Sequence, residues 1–260
     1  MTKHPGPPSG RTPPPDLLHL CHALGDPDYA ILGDGNVSAI ADDRATFWVK
    51  ASGCSLATMT AADLVEVKLR AAIQMLEPGD KSDEQVRAEL LAAKVVPATT
   101  PPPSIETVMH AALLDLPGVR YVGHTHPTAI NAITCSNQFE ETLRGRIFPE
   151  EVVVCGPESL LVPYVDPGLA LGRELRSLAA AFVDRTGDFP RAVYLKNHGF
   201  IALGATAKEV LNVTMTSTKA AKIRAGAMSL GGLSLLSQAD IERIHRRPDV
   251  GYRKRLMSGS

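Results

Sequence analysis

An α/β domain with helices laid over a sheet is what this sequence predicts, and three observations predict it. Strand-like runs, VRYVGHTH, EEVVVCG and RAVYLKNHG with FIALG, alternate with segments of helical period. Several helices open on recognisable caps: Ser82 with Gln85, Thr206 with Glu209, and Asp166 followed by Pro167 at a first helical position. A chain of 260 residues, 44% hydrophobic and 21% charged, also has the apolar content for one substantial core.

The elements follow in order. Residues 1–15, MTKHPGPPSGRTPPP, hold six prolines and no apolar period, so they are expected to be a disordered tail, with the folded domain spanning 16–260. From Asp16, DLLHLCHALG has helical spacing, and its His19 and His22 are read as solvent-facing. DGNVSAI and ATFWVKASG read as a strand pair, with Lys50 a solvated strand residue. PATTPPPS is read as a stiff loop rather than a linker, with Ser104 able to cap the helix IETVMHAALL that follows. KEVLNVTMTSTKAAKI reads as a helix whose buried stripe includes Met215.

Bulk properties exclude some function classes. A net charge of -1 with no charged run argues against nucleic acid as a partner. No apolar stretch reaches the roughly 18 to 20 residues of a membrane span, and no signal core opens the chain, so a cytoplasmic protein is expected. Cys21, Cys54, Cys135 and Cys155 are scattered without a CxxC pair, which suits reduced packing residues rather than a disulfide framework.

Chemistry concentrates in three places. His124 and His126 stand two apart on a strand, so the strand period turns both imidazoles to one face, and Pro127 ends the strand there. His198 in LKNHGF follows a second strand-like run, and three imidazoles with no thiolate match an open, catalytic zinc site. Glu106 begins the helix that carries His110 one turn later, a position where the helix dipole favours a carboxylate. Asn36, Ser52, Gly53 and Ser104 sit at turns and a helix start, where donors for a phosphate are common, and Lys50 could add charge.

Taken in order, GNVS, a short SG turn, S-x-E-x3-H, HTHP and NHG resemble the class II aldolase and adducin family over residues 16 to 226, and in particular its zinc-dependent fuculose-phosphate and rhamnulose-phosphate aldolases. The resemblance implies a three-layer α/β/α domain around a mostly antiparallel sheet, assembled as a homotetramer with sites at subunit interfaces. It implies Zn2+ or another divalent metal on His124, His126 and His198, with Glu106 as acid/base, and a phosphate pocket of Asn36, Ser52, Gly53 and Ser104. The implied reaction is cleavage of a ketose phosphate to dihydroxyacetone phosphate and an aldehyde through a metal-stabilised enediolate. Proton transfer by Glu106 would call for a pKa near neutrality.

Related aldolases place a proton-donating tyrosine about twenty residues after the histidine pair, where this chain reads RGRIFPEE; Tyr252 near the C-terminus is the alternative candidate. Pro103 also stands where some aldolases have a second serine. Two rival readings accompany the first. The same fold also serves pentulose-phosphate 4-epimerases, dehydratases and sugar-acid-phosphate decarboxylases, the epimerases usually with aspartate in place of Glu106. The adducin head is a non-catalytic interaction module that lacks the histidines retained here. The segments also resemble aldolase domains that elsewhere are fused to short-chain dehydrogenases, and no such second domain is expected within these 260 residues.

Overall fold

The computed structural model describes residues 11–96 and 101–247. The opening ten residues of the proline-rich tail, residues 97–100 of the loop and Tyr252 lie outside them. The elements run α1 (Pro15–Leu24), β1 (Asn36–Ile40), β2 (Thr46–Lys50), β3 (Leu64–Lys68), α2 (Leu69–Gln74), α3 (Asp83–Ala93), α4 (Thr107–Leu114), β4 (Tyr121–Thr125), α5 (Thr128–Thr134), α6 (Phe139–Leu143), α7 (Pro149–Cys155), β5 (Leu160–Val162), α8 (Leu169–Thr186), β6 (Ala192–Leu195), β7 (Gly199–Gly204), α9 (Ala207–Ser229) and α10 (Gln238–His245).

The strands form one sheet in the order β3-β2-β1-β4-β7-β6-β5. Every neighbouring pair is antiparallel except β5 with β6. Side-chain alternation gives each face its own core. Trp48, Tyr121, Phe200 and Ala202 pack beneath α1, α5 and α9, while Phe47, Val49, Val122, Ile201 and Leu203 pack beneath α2, α4 and α8. Both faces being covered, β1, β2, β4, β6 and β7 are buried along their whole length, and the three-layer α/β/α expectation holds.

Local chemistry explains where the elements begin. Ser82 and Gln85 form the expected capping box at α3. Thr206 caps α9 by accepting from the Glu209 N–H, while the Glu209 carboxylate reaches back to Ala205 N. Four expectations are corrected. EEVVVCG is the helix α7 and not a strand, because Pro149 at a first helical position and two acidic residues in the first turn outweigh the β-branched run. α8 begins at Leu169 and not at Pro167, since Gly168, with φ +102°, turns the chain first and Asp166 accepts from the Tyr164 hydroxyl instead of capping. Met215 is half exposed, because α9 turns small residues such as Ser217, Ala220 and Ala221 inward. Cys135 is exposed rather than packed, whereas Cys21 and Cys155 are buried and all four thiols are free.

Candidate metal centre

The register of the sheet assembles the site. Asn36 of β1 pairs with His124 of β4, which pairs in turn with Ile201 of β7, so Asn36 and His124 share the face covered by α4. His126 lies just past the end of β4, where its N–H donates to Tyr29 O at 2.8 Å and Pro127 then leads into α5. His198 occupies the tight turn between β6 and β7, with Asn197 in the left-handed region at φ +54° and the His198 N–H donating to Leu195 O. Asn131 of α5 clamps that turn by donating to His198 O at 3.2 Å. Gly199 is required by contact: a Cβ there would stand 2.6 Å from His126 Cδ2 and 2.7 Å from Thr125 O.

The three imidazoles converge, with ligand atoms all within 4.8 Å of one another. His124 Nε2 and His126 Nε2 are 3.1 Å apart. Two nitrogens held by one tetrahedral ion at ~2.0–2.1 Å stand roughly 3.3 Å apart, so the donor set fits a divalent metal. The Nδ1 of His124 lies 3.0 Å from Phe200 O, and as donor to that carbonyl it leaves the Nε2 lone pair facing its neighbours. His126 Nδ1 faces outward, 3.8 Å from Asp34 Oδ2, while His198 Nδ1 is buried with no partner among the described residues.

Glu106 is the N-cap residue of α4, and its Oε1 lies 3.5 Å from both His124 Nε2 and His198 Nε2. Burial opposes its ionisation, but the charge and hydrogen bonds of His124 and His198 outweigh that and hold its carboxyl well below the usual carboxylate range. The pKa near neutrality expected for proton transfer is therefore not the resting state of this carboxylate. Burial first, then the neighbouring His124 and His198, pushes His126 down to about 3, which keeps it neutral and able to act as a ligand. His110, one turn into α4, is fully buried, 2.7 Å from Ser38 Oγ through Nδ1, and burial pushes it to about 3.

The expected phosphate-binding residues are distributed around this cluster. Asn36 is buried, and neither atom of its side-chain amide has a partner among the described residues. Ser52 and Gly53 are exposed at the turn after β2, with Gly53 at φ +79°. Ser104 precedes α4, where its hydroxyl accepts from the Glu106 N–H while the helix itself starts at Thr107. Ser52 N donates to Pro102 O, and Ala51 bridges Pro103, so the turn and the segment before α4 lie side by side. Lys50 is not solvated: it is 2% exposed, and its ammonium donates to Gly33 O and Cys54 O, both at 2.7 Å. Its charge braces two loops against each other, and burial lowers its pKa from the usual lysine value. His19 and His22 are exposed as expected, with His22 Nε2 lying 2.8 Å from Met59 O.

Sequence reasoning missed Asp34, Asn131 and the Phe200 carbonyl. For Asp34 no local signal existed, since Gly35 at φ +70° separates it from β1 and only the folded loop brings it to His126.

Known proteins resemble this chain in both sequence and fold. A family profile described as Class II Aldolase and Adducin N-terminal domain matches residues 15–225. The Bacillus subtilis (strain 168) protein bearing the name uncharacterized oxidoreductase YuxG is 28% identical over 209 residues, covering 77% of this chain and 28% of that protein. The chain thus spans less than a third of that relative's length. The N-terminal class II aldolase domain of a conserved Thermoplasma acidophilum protein superposes with a TM-score of 0.65 at 24% identity, covering 85% of this chain and 98% of the other. An L-fuculose 1-phosphate aldolase superposes with a TM-score of 0.66 at 20% identity, covering 88% of this chain and 92% of the other. No helix among the described residues is long and apolar enough to cross a membrane.

Proposed function

This chain belongs to the class II aldolase and adducin N-terminal domain family, and from that premise we propose that it is a zinc-dependent aldolase that cleaves a ketose phosphate to dihydroxyacetone phosphate and an aldehyde. The observation that carries the reading is the convergence of three imidazole donors within 4.8 Å, with one carboxylate oxygen 3.5 Å from two of them. An interaction module has no use for such a donor set, partly buried and held by β4, the residue after it, the β6–β7 turn and the start of α4.

In this reading His124, His126 and His198 hold the ion, which when bound supplies Lewis-acid stabilisation of negative charge on substrate oxygens. The chain's own residues do the rest. Glu106 moves a proton at the substrate carbon that loses its bond to the aldehyde fragment. Substrate that excludes water from the site would raise its carboxyl toward the range that proton transfer needs. Asn36, whose side-chain amide is unspent, would donate its Nδ2–H to the substrate phosphate alongside the Ser52–Gly53 turn and Ser104. Lys50 sets the separation of the two loops rather than reaching the ligand. The proposed working form is a cytoplasmic homotetramer.

Two measurements test the proposal. Purified protein should contain about one zinc or similar ion per subunit, and His126→Ala should lose it; full retention by that variant overturns the site. A panel of ketose 1-phosphates, pentulose 5-phosphates and unphosphorylated sugars or sugar acids should release triose phosphate and aldehyde only from a ketose phosphate. Turnover of unphosphorylated compounds alone overturns the phosphate pocket, and 4-epimers formed without cleavage overturn the reaction class.

A further inference from the structure

We propose that Asp34 is the positioning carboxylate of His126, fixing that ring so that Nε2 faces the imidazole cluster while Nδ1–H points to the carboxylate; the proposal rests on the reading of the cluster as a metal centre. The end of the β1–β4 ladder brings the two residues near each other. In the β1–β4 ladder Asn36 stands opposite His124, and Ser38 opposite Val122. Just beyond that ladder Gly35, at φ +70°, turns the chain out of β1, and the loop before it carries Asp34 beside His126, the residue that follows β4. The distance agrees, with His126 Nδ1 at 3.8 Å from Asp34 Oδ2. At that separation the coupling is electrostatic or relayed through one water.

The three rings differ in what orients them. His124 has a backbone carbonyl on Nδ1 and is fully buried. The backbone of His198 is clamped by Asn131 in a tight turn. His126 lies beyond the last rung of β4, its side chain is one-quarter exposed, and beyond its contact with His124 the charged group it meets on the outer nitrogen is Asp34. A ligand at a strand end with an open ring has the greatest need of an outer partner, because ring orientation and tautomer set its basicity toward a metal.

The backbone that carries Asp34 is also braced. Its N–H donates to Ile31 O at 2.9 Å, and Gly33 O takes one of the two Lys50 hydrogen bonds. On its other side, Gly35 packs so closely on the β4 backbone that a Cβ would stand 2.8 Å from His124 O, at φ +70°. His126 is tied to the same loop through its hydrogen bond to Tyr29 O. The carboxylate and the ring are therefore mounted on one braced unit, the arrangement that keeps a ligand's outer partner in register with it.

The experiment compares Zn2+ affinity, by competition with a chromophoric chelator, for the parent chain, Asp34→Asn, Asp34→Ala and Asp34→Glu, together with thermal unfolding of each after metal stripping. Asp34→Asn and Asp34→Ala should weaken Zn2+ about 10–100-fold while the stripped proteins unfold as the parent does, and Asp34→Glu should recover part of the loss. Affinity within about twofold of the parent in Asp34→Asn overturns the proposal. So does a loss matched by destabilisation of the stripped protein and not relieved in Asp34→Glu, since that marks a loop effect. A parent chain that takes up no zinc overturns the metal reading itself, whereas a parent that binds zinc and an Asp34→Asn variant that binds it equally overturn the role of Asp34 alone.

Discussion

Glu151→Gln should cost this protein more stability than any substitution at its surface. Glu151, Arg146 and Arg224 are each 1% exposed and form one network under α7 and α9. The carboxylate accepts from Arg224 at 2.9 and 3.2 Å and from Ile147 N at 2.9 Å, and lies 3.5 Å from Arg146 Nη1. The two guanidiniums also donate to the carbonyls of Thr142, Gly145, Cys155 and Gly156, while Arg224 Nε is left without a partner among the described residues. The amide of glutamine keeps the shape but leaves two buried cations facing no anion, a change of about 3–5 kcal/mol. Against a total stability of about 5–15 kcal/mol that is a large share, and for a chain of this size it lowers Tm by about 6–20 °C. Urea and thermal unfolding of the metal-stripped protein read the effect. Glu140→Gln, which breaks the exposed pair of Glu140 with Arg144 at 3.6 Å, serves as control and should move stability by under about 0.5 kcal/mol. A Glu151→Gln variant within about 1 kcal/mol of the parent refutes the claim that this buried charge is compensated only by its partners.

How legible the fold was depended on whether the signal was local. Strand runs with Val, Ile, Tyr and Phe marked β4, β6 and β7, and the Ser82 box marked α3 to the residue. The failures share a cause. Val152, Val153 and Val154 have β-branched side chains, but a helix of seven residues packed on α9 is decided by tertiary contact and by its Pro-Glu-Glu start, not by propensity. Gly168 delayed α8 by adopting a conformation that no capping rule anticipates.

At the site, spacing made the His124–His126 pair legible, because two histidines two apart on a strand share a face in any sheet, while the roles of His198 and Glu106 came from the family resemblance. What brings His198 to them is the antiparallel pairing of β7 with both β4 and β6, which is long-range information. Lys50 illustrates the opposite difficulty. A lysine on a strand has a strong prior for solvent, and only the apposition of Gly33 and Cys54 carbonyls makes its burial tolerable. Asp34 likewise becomes readable only in the fold, which sets its carboxylate 3.8 Å from His126 Nδ1.

Glu106→Gln should retain fold and metal while lowering turnover by roughly two to four orders of magnitude, measured as triose phosphate release; near-normal turnover would assign Glu106 to capping α4 alone. His110 should make the metal-stripped protein sensitive to acid. Its folded pKa of about 3 lies below the ordinary 6.5, because burial penalises the imidazolium. The unfolded chain therefore takes up the proton first, so stability is greatest above pH 6.5, falls as pH drops through 6.5, and stops falling below about 3. At pH 5 the loss from this one group is about 2 kcal/mol, from 1.5 pH units at about 1.4 kcal/mol each. His110→Asn also breaks packing, which lowers stability at every pH, so the informative quantity is the difference between pH 8 and pH 5 in urea unfolding. That difference should shrink by about 2 kcal/mol in His110→Asn, and an unchanged difference would mean that the buried ring accepts its proton as readily in the folded protein as in the unfolded chain.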